Sequence, residues 1–173
     1  MNHLQRIEPK PGQESVWDYP RPPLLERCLR LASQSPKQVR IIFNDITIAD
    51  SGNTYRVLET SHPPVYYIPP VDIKTEYLEP ANSRSSFCEW KGLASYYNLT
   101  VGDKQVQNAA WYYSSPTDYF APIKDYLAFY PSKMDACYVD DELVKAQAGD
   151  FYGGWVTQDI VGPFKGELGT WGW

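Results

Sequence analysis

The spacing of apolar residues changes near Val39. Before it, Leu24, Leu25, Cys28, Leu29, Leu31 and Ala32 recur at helical intervals behind Pro22 and Pro23, which suit a first helical turn, and Ser33-Gln34-Ser35-Pro36 stops the pattern. One N-terminal helix is predicted there. From Val39 the period is two: Val39, Ile41 and Phe43 alternate with Arg40, Ile42 and Asn44, and Asn44-Asp45 turns the chain into a second strand over 46–49. Asp50-Ser51-Gly52-Asn53 marks another turn, followed by predicted strands at 54–59 and 65–68. Residues 93–101 and 106–113 flank Gly102-Asp103 as a hairpin, and 126–130 and 136–139 follow, the last ended by Asp140-Asp141. Short strands with turn residues about every eight to twelve positions predict a mainly β fold of antiparallel sheets, a barrel or sandwich.

The two ends differ from this pattern. Residues 1–15 read as a flexible N-terminal arm, polar and carrying Pro9 and Pro11, whereas Trp17 and Tyr19 predict that the chain docks from residue 16 onward. Residues 16–173 then form a single β-rich domain, because no composition shift or repeat divides them. The tail combines Gly153-Gly154-Trp155, Gly162, Gly166 and Gly169-Thr170-Trp171-Gly172-Trp173, a pairing of tight bends with large rings that is expected to wrap and close the body.

Charge and cysteine content narrow the partners. A net charge of -5 and a pI near 5.0 oppose the basic surface that phosphate backbones require, so nucleic acid is not an expected partner. No apolar run approaches the ~18 residues of a membrane span, and residues 1–6 lack the apolar stretch of a signal peptide; a cytoplasmic protein, monomer or homodimer, is expected. Cys28, Cys88 and Cys137 are widely spread, His3 and His62 are the two histidines, and neither a disulfide framework nor a metal site follows from them. No cofactor is expected. Asp140-Asp141 resembles a metal-binding carboxylate pair but stands where a hairpin turn is due.

The unusual feature is the 15% aromatic content, with 14 tyrosines and six tryptophans. Strand alternation puts Trp111 and Tyr113 on one face of their strand and Tyr112 on the other, and separates Tyr96 from Tyr97. A half-exposed sheet would carry polar residues outside, so strands with rings on both faces are covered twice or line a cavity. One outcome is an ordinary aromatic core. The other is a pocket for a small molecule, planar or cationic, walled by Tyr67, Trp90, Tyr97, Trp111, Tyr113, Tyr130 and Trp155, with Glu59 and Lys91 anchoring polar groups.

Cys88-Glu89-Trp90-Lys91-Gly92 concentrates reactive groups. A thiol beside an ammonium is a nucleophile, so Cys88, Lys91 and Glu59 are the catalytic candidates of an enzymatic alternative. In a regular strand Cys88 and Lys91 point apart, and only a distortion at Gly92 brings them together; otherwise Cys88 is a small buried hydrophobe. A third alternative is a protein–protein interaction module that packs its second aromatic face on a copy of itself or on a partner.

The ordered motifs Trp17-Asp18-Tyr19-Pro20-Arg21-Pro22-Pro23, Tyr66-Tyr67-Ile68-Pro69, Cys88-Glu89-Trp90-Lys91-Gly92, Ala94-Ser95-Tyr96-Tyr97, Asn108-Ala109-Ala110-Trp111-Tyr112-Tyr113 and Gly153-Gly154-Trp155-Val156-Thr157 resemble the family called domain of unknown function 427, from about Val16 to the terminus. The resemblance implies a mostly β body similar to the β-tent shared by methionine-R-sulfoxide reductase B and the cereblon ligand-binding domain. Many β-tents hold zinc through two cysteine pairs, which this chain lacks. The family is sometimes labelled nucleotidyltransferase-like, yet the Gly-Ser turn and spaced Asp-x-Asp of such enzymes are missing here. Matching positions that the resemblance places toward a cavity are Glu59, Tyr67, Cys88, Lys91, Tyr97, Trp111, Tyr130 and Trp155.

Overall fold

The computed structural model describes residues 5–28, 37–82, 85–149, 151–170 and 173. Among them the fold is mainly β, and its largest unit is the hairpin of Gly92–Val101 and Lys104–Tyr113, turned at Gly102-Asp103 as the pattern predicts. Ala128–Phe129 pairs with one side of this hairpin; Leu78–Pro80 and Ser86–Cys88 pair with the other. The register shifts by two between Val106 and Ala110, where Asn108 adopts φ 50° and its N–H is held by the Asn98 side chain at 2.9 Å. Because two residues are inserted, the in–out alternation of the strand survives the bulge.

A second sheet has the order Glu142–Leu143, Ala136–Val139, Val39–Phe43, Ile46–Ser51. Its two tight turns rest on residues that tolerate left-handed backbone. Asn44 and Asp45 take φ 47° and 63°, Asp140 and Asp141 take 47° and 65°, and each pair joins adjacent antiparallel strands. The aspartate pair is thus a turn. Val39, Ile41 and Phe43 point into the core while Arg40 and Ile42 remain half-buried, as the period of two requires.

The third sheet runs Leu24–Arg27, Tyr55–Leu58, Val65–Tyr67 and corrects one expectation. Where helical spacing begins, residues 24–27 are a strand, paired from Leu24 opposite Leu58 to Arg27 opposite Tyr55. Leu24 is 42% exposed, so the helical stripe is not the face that the fold buries; ladder hydrogen bonds from a strand distant in sequence outweigh local propensity. The remainder of that predicted helix, 29–36, lies outside the described residues. None of the sheets among the described residues closes into a barrel.

The ends of the chain are tied together. Glu14–Ser15 lies parallel to Ile160–Val161, Ile7 N–H donates to the Gly162 carbonyl at 3.3 Å, and Trp17 Nε1 donates to the Pro163 carbonyl at 3.0 Å. Arg56, only 6% exposed, reinforces this junction: Nη2 meets both Glu14 carboxylate oxygens at 2.9 and 3.1 Å, and Nε meets Glu26. Burial alone would weaken the guanidinium charge, but the two carboxylates more than offset it.

Two main cores form on opposite faces of the long hairpin. Leu99, Val101 and Ala110 face a cluster with Ile41, Phe43, Tyr66 and Trp155, whereas Ala94, Trp111 and Tyr113 face a second one with Val57, Tyr67, Phe120 and Tyr130. Among the described residues no helix is long and apolar enough to cross a membrane.

Arg56→Ala is expected to destabilise the protein by about 2–4 kcal/mol in urea unfolding, since it removes a buried side chain and its hydrogen bonds to Glu14 and Glu26. Glu14→Gln removes a partner that is 37% exposed and is expected to cost under about 1 kcal/mol.

Candidate functional site

The second aromatic cluster does not fill its space. A cavity of about 650 Å³ lies between the Tyr55–Leu58 and Val65–Tyr67 strands, the Trp111–Tyr113 end of the hairpin, and the tail. Tyr67, Tyr96, Trp111, Tyr113 and Tyr130 form its inner wall; Trp90, Phe151 and Tyr152 stand further out, with Phe151 exposed. Trp111 tilts against Tyr130 with ring centroids 4.6 Å apart and meets Tyr67 edge-on at 6.3 Å.

The hydroxyls of Tyr67 and Tyr96 on this wall have side-chain partners. Trp111 Nε1 donates to Tyr67 Oη at 3.2 Å, the Tyr67 and Tyr113 ring centroids are 6.4 Å apart, and Tyr96 Oη is 2.7 Å from Ser86 Oγ. Burial, above all, pushes the phenols of Tyr67, Tyr113 and Tyr130 upward, so they stay neutral and serve as donors or acceptors.

The Cys88–Lys91 segment turns tightly, with Cys88 paired opposite Gly92. Gly92 has φ 109°, which side-chain-bearing residues rarely adopt, and a Cβ there would sit 3.2 Å from the Ser115 carbonyl. Thr117 clamps the turn: its N–H reaches the Lys91 carbonyl at 3.1 Å and its hydroxyl the Trp90 carbonyl at 2.6 Å. The distortion at Gly92 that the reactive cluster needed is present, and it puts Lys91 and Cys88 on the same cavity wall. Burial by itself would pull the Lys91 ammonium down; Tyr67, Cys88 and Glu59 outweigh it and hold it above its ordinary value. Its charge also lies 5.9 Å from the centroid of the Phe120 ring.

The other end of the cavity holds His62, Gln147, Tyr152 and Lys165. Gln147 Nε2 lies 3.2 Å from His62 Nδ1 and 2.7 Å from the Lys165 carbonyl, and the His62 and Tyr152 ring centroids are 5.4 Å apart. Burial, followed by the charges of Lys165, Arg21 and Lys91, drives His62 down to about 4. It is a neutral imidazole at pH 7.

Of the residues singled out from sequence, Glu59, Tyr67, Cys88, Trp90, Lys91, Trp111, Tyr113 and Tyr130 are brought to this one cavity. Tyr97 and Trp155 are not among them. Tyr97 stacks on Tyr112 at 4.7 Å on the opposite face of the hairpin, and Trp155 is fully buried with Nε1 donating to the Phe129 carbonyl at 3.2 Å. His62, Gln147, Tyr152 and Lys165 were missed because only folding joins their segments. Gly153 was the available signal: a Cβ there would overlap the Trp111 ring, so the tail runs directly against the cavity wall. Among the described residues no group of three or more His, Cys, Asp or Glu gathers for a metal ion.

Because protonation of His62 is favoured in the unfolded chain near 6.5 and in the folded one only near 4, stability is retained above pH 6.5 and lost as pH falls toward 4. His62→Gln is expected to flatten that part of the melting-temperature profile. Gly153→Ala must displace Trp111 and is expected to cost about 1–3 kcal/mol, with a shift in tryptophan emission.

A family model described as Domain of unknown function (DUF427) matches residues 31–140. The match includes the motifs at Tyr66, Cys88, Ala94 and Asn108, while those at Trp17 and Gly153 lie beyond it. No curated protein matches the chain.

Proposed function

We propose, since the chain belongs to the DUF427 family and that membership names no reaction, that it binds a small molecule in the cavity between its tyrosine and tryptophan rings. The observation that carries this reading is the volume itself. About 650 Å³ left open beside buried rings is a size suited to a metabolite, and a core built only for stability would close it. The surrounding polar groups converge on the space from several segments: Lys91 and Cys88 from one turn, Glu59 and His62 from another, Tyr67 and Tyr113 from facing strands.

A second reading makes the cavity catalytic, and the placement of Lys91 and Cys88 on one wall of it favours this. Cys88 would attack an electrophilic substrate as the thiolate, with the Lys91 ammonium stabilising the negative sulfur.

A metabolite library screened by thermal shift is expected to yield ligands that raise the melting temperature and whose binding is lost on Trp111→Ala; a ligand at 100 times its Kd adds about 2.7 kcal/mol. A library without hits and a crystal structure with the space filled by side chains would overturn the binding reading. For the catalytic reading, Cys88 is expected to alkylate faster at neutral pH than a free cysteine of pKa about 8.5, and Lys91→Met to slow it. Alkylation at the free-cysteine rate rules the nucleophile out.

A further inference from the structure

The charges around the cavity discriminate between ligand classes. Aromatic walls by themselves suit cations, through ring faces, as readily as neutral or anionic rings. Here the half-buried cation already present is the protein's own. Among the described residues Lys91 has no carboxylate within 4 Å, since Glu59, which acts on it from farther away, is 3.8 Å from Arg21 Nε. The near neighbours of the Lys91 ammonium are a phenol, a thiol and the Phe120 ring, none of which carries a full opposite charge. Glu89, the other acid on the lining, is exposed.

Resting on the small-molecule reading above, we propose that the ligand is a flat organic monoanion, a carboxylate on an apolar ring, with its charge on Lys91 and its ring against Trp111 and Tyr130. On the aromatic wall one ammonium among the described residues, that of Lys91, lacks a carboxylate partner and matches one negative charge, whereas Lys165 at the other end of the cavity donates to the Trp173 carbonyl. The neutral phenols of Tyr67 and Tyr113 are hydrogen-bonding groups beside that cation, suited to the second carboxylate oxygen. His62 is lowered first by its burial, and the further lowering by Lys165, Arg21 and Lys91 agrees with a positive contribution to the potential at that end of the cavity. A cationic ligand would meet those cations, and the acids on the lining are Glu59, beside Arg21, and the solvent-exposed Glu89.

Three matched probes test the assignment by calorimetry on the full chain: 2-naphthoate, 2-naphthamide and (2-naphthylmethyl)ammonium. The carboxylate is expected to bind at least about tenfold tighter than the amide, the preference shrinking as salt rises, and the ammonium to bind weakest. Lys91→Met is expected to remove the preference for carboxylate over amide while leaving the amide affinity within about twofold. Should that variant fail to fold, the carboxylate-to-amide ratio on the wild-type protein decides alone. Equal binding of carboxylate and amide, or preference for the ammonium, overturns the anion assignment and leaves the binding reading standing. If none of the three binds at millimolar concentration, the binding reading itself fails for aromatic ligands.

Discussion

The fold turns on one end of the strand Lys104–Tyr113, residues 109–113, whose two faces both carry rings or small apolar residues that pack away from water. Ala110 and Tyr112 point one way, Trp111 and Tyr113 the other, and the paired strand Gly92–Val101 repeats the arrangement with Tyr97 and Tyr96. Burying a large ring is worth about 1.5–3 kcal/mol, so both faces recruit cover from elsewhere in the chain. The four-stranded sheet and Trp155 pack closely on one face. On the other, the three-stranded sheet and the glycine-rich tail meet the rings but do not close over them, and the cavity is the result.

The same constraint explains where polar groups collect. The cavity lies inside a partly desolvated body, where a phenol without a partner is costly, and the hydroxyl of Tyr67 is met by Trp111 and that of Tyr96 by Ser86. Electrostatic effects strengthen in such a place. Burial first, and the charges of Lys165, Arg21 and Lys91 after it, therefore drive His62 down to about 4. The junction of the termini is built differently. There Arg56 is matched by two carboxylates, Glu14 and Glu26, and its charge is used up in holding segments together.

Much of this architecture is legible in the order of residues, because strands and turns are local. An alternation of apolar and polar positions states which residues share a face, and Asn44-Asp45, Gly102-Asp103 and Asp140-Asp141 mark turns since their backbones reach conformations most residues avoid. The mainly β fold and the two-faced hairpin, with Trp111 and Tyr113 on one side and Tyr112 on the other, follow from such rules. At Leu24 the local rule gave way. Helical spacing there carried no information about the strand Tyr55–Leu58, which lies 28 residues or more further along the chain and supplies the ladder.

What sequence alone settled was which rings of one strand share a face, as Trp111 and Tyr113 do; what stands in front of each face was decided only by the packed molecule. Trp111 and Trp155 look alike as residues, yet one borders open space and the other is sealed, because different distant segments cover them. Lys91 shares a wall with Cys88 through the φ of Gly92 and the clamp of Thr117, and faces His62 and Lys165 only once the tail has folded back. Periodicity reports on neighbours within a strand. The charge and volume of a cavity come from segments that meet across it.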